Sequence, residues 1–177
     1  MATTRLPKTY ARVAASVSPT TTRAVGAVAV TAMVASMMMG MIEMIVEAAI
    51  GHGFWSPLRY IASVFTRGSD TDPGFSLGPV IVGLGGHMMN GLILGSVFAV
   101  IAWKLVRNPG VLAMAGMAFG ALVYAVMWWG VAASIDPAMQ LVNAQWFFVA
   151  HLVFGMVLGL GVAAAQRLSQ GTAPAAV

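Results

Sequence analysis

The side chains with the greatest chemical capacity are few, and they sit where charge is costly. Glu43 and Glu47 lie in an apolar stretch that runs from Ala24 to Ile50, four residues apart and so on one face of a helix. Like charges so placed repel, and a carboxylate inside a bilayer needs a partner, a proton or cavity water. His87 and His151 lie in two other apolar stretches, each at the head of the pattern His-x-x-x-Gly-x-x-x-Gly: His87, Gly91, Gly95 and His151, Gly155, Gly159. His87 precedes Trp103 by sixteen residues and His151 precedes Arg167 by sixteen. A helical rise puts both imidazoles about 24 Å from that edge, and Glu43, about 25 Å beyond Gly26, reaches nearly the same depth. The spacing predicts one polar cluster of Glu43, Glu47, His87 and His151, with Asn90 close by.

Two carboxylates and two imidazoles can hold a zinc, iron or copper ion. Helix-borne Glu and His are also the donors of carboxylate-bridged di-iron bundles, but the Glu-x-x-His pair that marks those is absent. Two histidines at one depth on separate helices suit the axial positions of a single b haem, with the glycines leaving room for the macrocycle, as in a cytochrome b-like electron carrier. A carboxylate pair beside imidazoles also suits proton exchange in a small proton-coupled carrier. The plainest reading has the four side chains hydrogen-bonding to one another, fixing helix register with no ligand. Met33, Met37, Met38, Met39, Met41 and Met44 crowd the first stretch, and Met88, Met89 and Met156 flank the histidines. Thioethers favour Cu(I), yet methionine is also an adaptable apolar filler, and a lipid-facing or packing stripe is the expectation here.

The elements that must position these residues follow from composition. The 177 residues are 59% hydrophobic and 8% charged, with no Cys. Fourteen charged side chains cannot coat so much apolar surface, so lipid must cover the rest. A bilayer core needs about 20 apolar residues per helix, and four stretches supply them at roughly 26–50, 78–102, 110–133 and 145–165, none containing Lys or Arg. The expectation is an all-α polytopic membrane protein, a four-transmembrane-helix bundle over 24–168, with a basic tail at 1–23 and a disordered tail at 169–177. The repeated histidine pattern pairs spans one and two with three and four as two parallel helical hairpin repeats. Gly116 and Gly120 add a third close-approach pair.

Loop cations set the orientation. Arg5, Lys8, Arg12, Arg23, Lys104, Arg107 and Arg167 all fall on one side, which the positive-inside rule assigns to the cytoplasm together with both termini. The first apolar run is too long for a signal-peptide core and is expected to be retained, in a bacterial inner membrane. Leu6, Tyr10, Val13 and Val17 share a helical face that could rest on anionic lipid. In the first external loop Ser56 can cap and Pro57 can start a short interfacial helix through Phe65, followed by a polar turn over 68–74. Trp55, Trp128, Trp129 and Trp146 fit an outer aromatic belt, Trp103 marks the inner edge, and Asp136 is expected to make a turn or cap.

Without Cys there are no disulfides, iron–sulfur clusters or thiol nucleophiles. No phosphate-binding loop, nucleophile elbow or zinc-protease motif occurs, and the basic residues form no nucleic-acid patch. The sequence therefore predicts a non-enzymatic accessory or binding protein whose partners are the bilayer and other membrane subunits or copies of itself.

Overall fold

Apolar runs in lipid have no water for their backbone groups to bond, so each must close its own hydrogen bonds as a helix. The computed structural model describes residues 19–66, 72, 74–105 and 107–170. The tail at 1–18, most of the polar turn at 68–74 and residues 171–177 lie outside the described residues. The chain forms α1 (Pro19–Ala49), α2 (Ser56–Thr66), α3 (Leu77–Leu105) and α4 (Pro109–Ala125), which runs on as a π-helix over Val126–Ala132. A short 3-10 helix (Pro137–Leu141) and α5 (Ala144–Gln170) complete it. Four of these segments, with α4 and its π extension counted as one, are long and apolar enough to cross a membrane. No strand occurs among the described residues.

Local chemistry sets the boundaries. Gly51 and Gly53 adopt φ of 88° and 95°, which side chains resist, and this turns the chain out of α1. Asn108 caps α4 by accepting from the Gly110 and Val111 N–H groups at 2.9 and 3.1 Å, with Pro109 in the first turn. Asp136 does the same for the 3-10 helix through the Ala138 N–H at 3.1 Å.

Helix α5 is the axis of the bundle, packed against α4, α1 and α3. Its buried face carries Phe147, Ala150, His151, Phe154, Leu158 and Val162. Against α4 the seam is glycine on glycine: a Cβ on Gly116, Gly120, Gly155 or Gly159 would run into the facing backbone. Against α1, Gly91 and Gly95 of α3 meet Ser36 and Ala32. Each histidine-headed pattern thus spends its glycines on the preceding span. The two hairpins are not equivalent, however, because α5 is central while α3 packs mainly on α1 and α2.

Four of the five described cations, Arg23, Lys104, Arg107 and Arg167, mark one end of the bundle, the basic end, and all four are exposed; Arg59 is the fifth, buried in α2. The half nearer that end is closed by Ala32, Ala35, Phe98, Leu112, Phe154 and Leu158. Large apolar side chains such as Val30, Ile81, Val100, Met114 and Leu122 face outward, which suits lipid.

Helix α2 departs from the expectation of a helix lying flat at an interface. Its contacts advance in step with α3, Leu58 on Gly83 and then Ile61 and Phe65 near Gly86, so it points down into the bundle. Most of its residues are buried, the polar ones included. Ser56 donates to the Gly53 carbonyl, Arg59 to the Gly74 carbonyl through its guanidinium end, and Ser63 to Asp136, which offsets the cost of burying them.

Candidate functional site

The predicted cluster divides. Glu47 is fully buried, and both its oxygens are engaged. Oε1 accepts from the Asn143 N–H at 2.7 Å, and Oε2 accepts from His52 Nδ1 at 2.7 Å. His52 is half exposed, so the pair joins the end of α1 to the start of α5 near the surface. Tyr60, on α2, feels the same carboxylate. Burial raises its phenol above the usual value, Glu47 adds to this, and a Ser56 hydrogen bond opposes it.

The two histidines come together. His87 Nε2 donates to the Ser36 carbonyl of α1 at 2.8 Å, with the ring resting on Gly40. His151 Nδ1 donates to the Phe147 carbonyl of its own helix at 2.7 Å. A carbonyl only accepts, so each of these nitrogens carries the hydrogen, and in the neutral ring the other nitrogen holds a lone pair. His151, 1% exposed, also packs edge-on to Phe147 and Tyr124. Trp128 stacks on Tyr124 in the same group, so of the expected aromatic belt it is Trp129 and Trp146 that stand exposed.

Both imidazoles line a cavity of about 280 Å³. Its walls are Met39 of α1, the end of α2, Gly86 to Ile93 of α3, Met127 and Val131 of the π-helix, Met139, and Phe147 of α5. Phe65, Met89, Asn90 and Ile93 are exposed at its rim, so it opens sideways toward lipid. A π-helical turn is the rarer, wider geometry and recurs at functional sites; here it forms one wall.

Glu43 stands apart. It is 3% exposed, and neither carboxylate oxygen has a hydrogen-bond partner. It borders a small pocket of about 30 Å³ together with His87, Met39 and Met139, roofed by Pro57, Leu58 and Tyr60 of α2. Ser36 Oγ, pressed against Gly91, is the other unpartnered atom in this region.

Among the described residues no three His, Asp or Glu side chains gather as metal ligands would. Glu47 is taken up by His52 and Asn143, and Glu43 and His151 border different pockets. The room expected for a haem macrocycle is likewise filled, because Gly91, Gly95, Gly155 and Gly159 are covered by neighbouring helices. The methionine stripe Met33, Met37, Met38 and Met41 faces outward, while Met39, Met127 and Met139 line the site. Met127, Met139 and Ser36 carried no sequence signal of their own. Their place depends on where the π-helix and the 3-10 helix turn the chain. No protein-family model, curated protein or solved structure matches the chain.

Proposed function

We propose that this is a small, non-enzymatic binding protein of the membrane, one that takes a lipophilic molecule bearing a hydroxyl donor out of the bilayer into the cavity between α3 and the π-helix. The observation that carries this reading is the pair of imidazoles. Each is oriented by a backbone carbonyl so that its second nitrogen is an acceptor, and both border one largely apolar, lipid-facing cavity. Pockets for small molecules combine apolar walls with a few convergent polar groups, and here the polar groups are two acceptors and the Asn90 amide. A phenol or hydroquinone with an alkyl tail matches that set, and a molecule carrying only acceptors does not.

Binding suits the geometry better than passage, because the core closes between this cavity and the basic end. In the proposed setting the basic end faces the cytoplasm of a bacterial cell, and the cavity draws from the opposite leaflet.

The test is thermal unfolding of the detergent-purified chain with a long-chain alkylhydroquinone and with its dimethyl ether. A saturating ligand at a hundred times its Kd stabilises by about 2.7 kcal/mol, a readily measured shift. The hydroquinone should raise the transition and the ether should not, and His151→Phe should abolish the response. Equal shifts by the two compounds, no shift by either, or an unchanged response in His151→Phe would overturn the reading.

A further inference from the structure

We infer that the small pocket beside Glu43, adjoining the larger cavity, is a site for a soft monovalent cation, Cu(I), held by the Glu43 carboxylate, the free ring nitrogen of His87 and the thioethers of Met39 and Met139. This goes beyond the lipophilic-ligand reading. It shares His87, Met39 and Met139 with the walls of that cavity, but Glu43 borders the pocket and not the cavity, and His151 and Asn90 border the cavity and not the pocket.

The argument starts from Glu43. Buried polar groups are nearly always partnered, and an exception calls for an explanation such as an ion or water. Around it Glu47, Ser56, Ser63, Asp136, His87 and His151 all have partners, and apart from Glu43 the unpartnered atom of this region is the Ser36 hydroxyl, pressed against Gly91. Glu43 has none for either oxygen, and the space it borders is about 30 Å³, the scale of one ion or one water.

The rest of the lining identifies the occupant. Apart from Glu43, the groups bordering the pocket that can donate an electron pair to a metal include the His87 imidazole and the Met39 and Met139 thioethers. Between them stand Gly40, Leu58, Ile61, Val142 and Phe147, which offer no side-chain ligand. His87 has the orientation usual for a metal-bound histidine, one ring N–H held by a backbone carbonyl and the other nitrogen left to ligate. Ser36, Gly40 and Glu43 follow one another along one face of α1, and the imidazole that rests on Ser36 and Gly40 borders the same pocket as the carboxylate.

Charge then chooses the valence. A single carboxylate with a monovalent ion is neutral, whereas a divalent ion leaves a net charge inside the bilayer. A lone water would supply hydrogen bonds but no counter-charge. Among metal ions, two thioethers favour Cu(I), while zinc, iron and manganese prefer the imidazole and oxygen donors that Glu47 no longer provides.

The test uses the full chain in detergent, with Cu(I) kept reduced by ascorbate and titrated against a coloured Cu(I) chelator. The expected result is one copper per chain, and X-ray absorption should show sulfur together with nitrogen or oxygen neighbours. Glu43→Gln should weaken binding by about tenfold or more, and so should the volume-conserving Met39→Leu/Met139→Leu double variant. His151→Phe should leave it unchanged, which separates failure here from failure of the lipophilic-ligand reading. No competition with the chelator, wild-type affinity in Glu43→Gln, a copper spectrum without sulfur, or tighter binding of Zn(II) than of Cu(I) would each overturn the assignment.

Discussion

The glycine seam between α4 and α5 holds the site's central helix, and Gly155→Ala tests how tightly. An added Cβ would lie 2.6 Å from the Gly116 carbonyl carbon and 3.0 Å from the Gly120 nitrogen, where ordinary contacts begin at 3.4 Å. The obstacles are backbone, the Gly116 carbonyl oxygen nearest of all, so no side chain can swing aside, and the helices must part by about 1 Å or more along that turn. A gap of that size forfeits a quarter to a half of each dispersion contact across it, and overpacking of this kind costs about 2 kcal/mol. Gly26 supplies the control, since nothing lies within 4 Å of a Cβ there. Replacing Gly26 with Ala should be neutral or slightly stabilising, through helix propensity alone. Both variants would be unfolded from mild detergent into dodecyl sulfate, followed by tryptophan fluorescence and circular dichroism. A Gly155→Ala variant within about 0.5 kcal/mol of wild type, or no worse than Gly26→Ala, would refute the tight seam.

The two glutamates should behave oppositely. Glu47→Gln loses one of two hydrogen bonds and sets an amide N–H against a donor, for about 2 kcal/mol in the same unfolding assay, whereas Glu43→Gln in metal-free protein should match or exceed wild-type stability because nothing in the fold holds that carboxylate. Tyr60 holds its proton more tightly folded than unfolded, so its contribution is fully present below pH of about 10 and is lost as pH rises through the raised folded value. The stability difference between wild type and Tyr60→Phe should therefore be constant up to about pH 10 and change only in that alkaline range, with wild type losing ground. The chain has no Cys, so single-cysteine labelling is clean. An impermeant thiol reagent added outside intact cells should modify Gln140→Cys and spare Lys104→Cys, and the reverse pattern would invert the proposed orientation.

Much of the fold was legible because lipid simplifies the code. A run such as Ala144 to Gln170, apolar over more than a bilayer's thickness, can only be a helix there, and the glycines of the two histidine patterns read correctly as close-approach positions. Equal spacing from Trp103 and Arg167 also placed His87 and His151 at one depth, and they do share a cavity. What spacing could not show was competition for partners. Glu47 and Glu43 look alike in sequence, yet the former lies within reach of the Asn143 N–H and His52, residues remote from or beyond its helix. Helix α2 forms where expected, but its burial was hidden for a related reason. Its Arg59 and Ser63 look like a water-facing side until Gly74 and Asp136, brought in by other loops, accept from them. Met139 and Met127 became visible only when the backbone was bent into 3-10 and π geometry.

The imidazole tautomers test the central claim most directly. Nitrogen-15 spectra of the histidine-labelled protein in bilayers report which ring nitrogen carries hydrogen and whether the other accepts. The account predicts hydrogen on His87 Nε2 and on His151 Nδ1, with the bare nitrogen of each shifting when an alkylhydroquinone is added and staying still with its dimethyl ether. The opposite tautomers, or spectra indifferent to the hydroquinone, would contradict it.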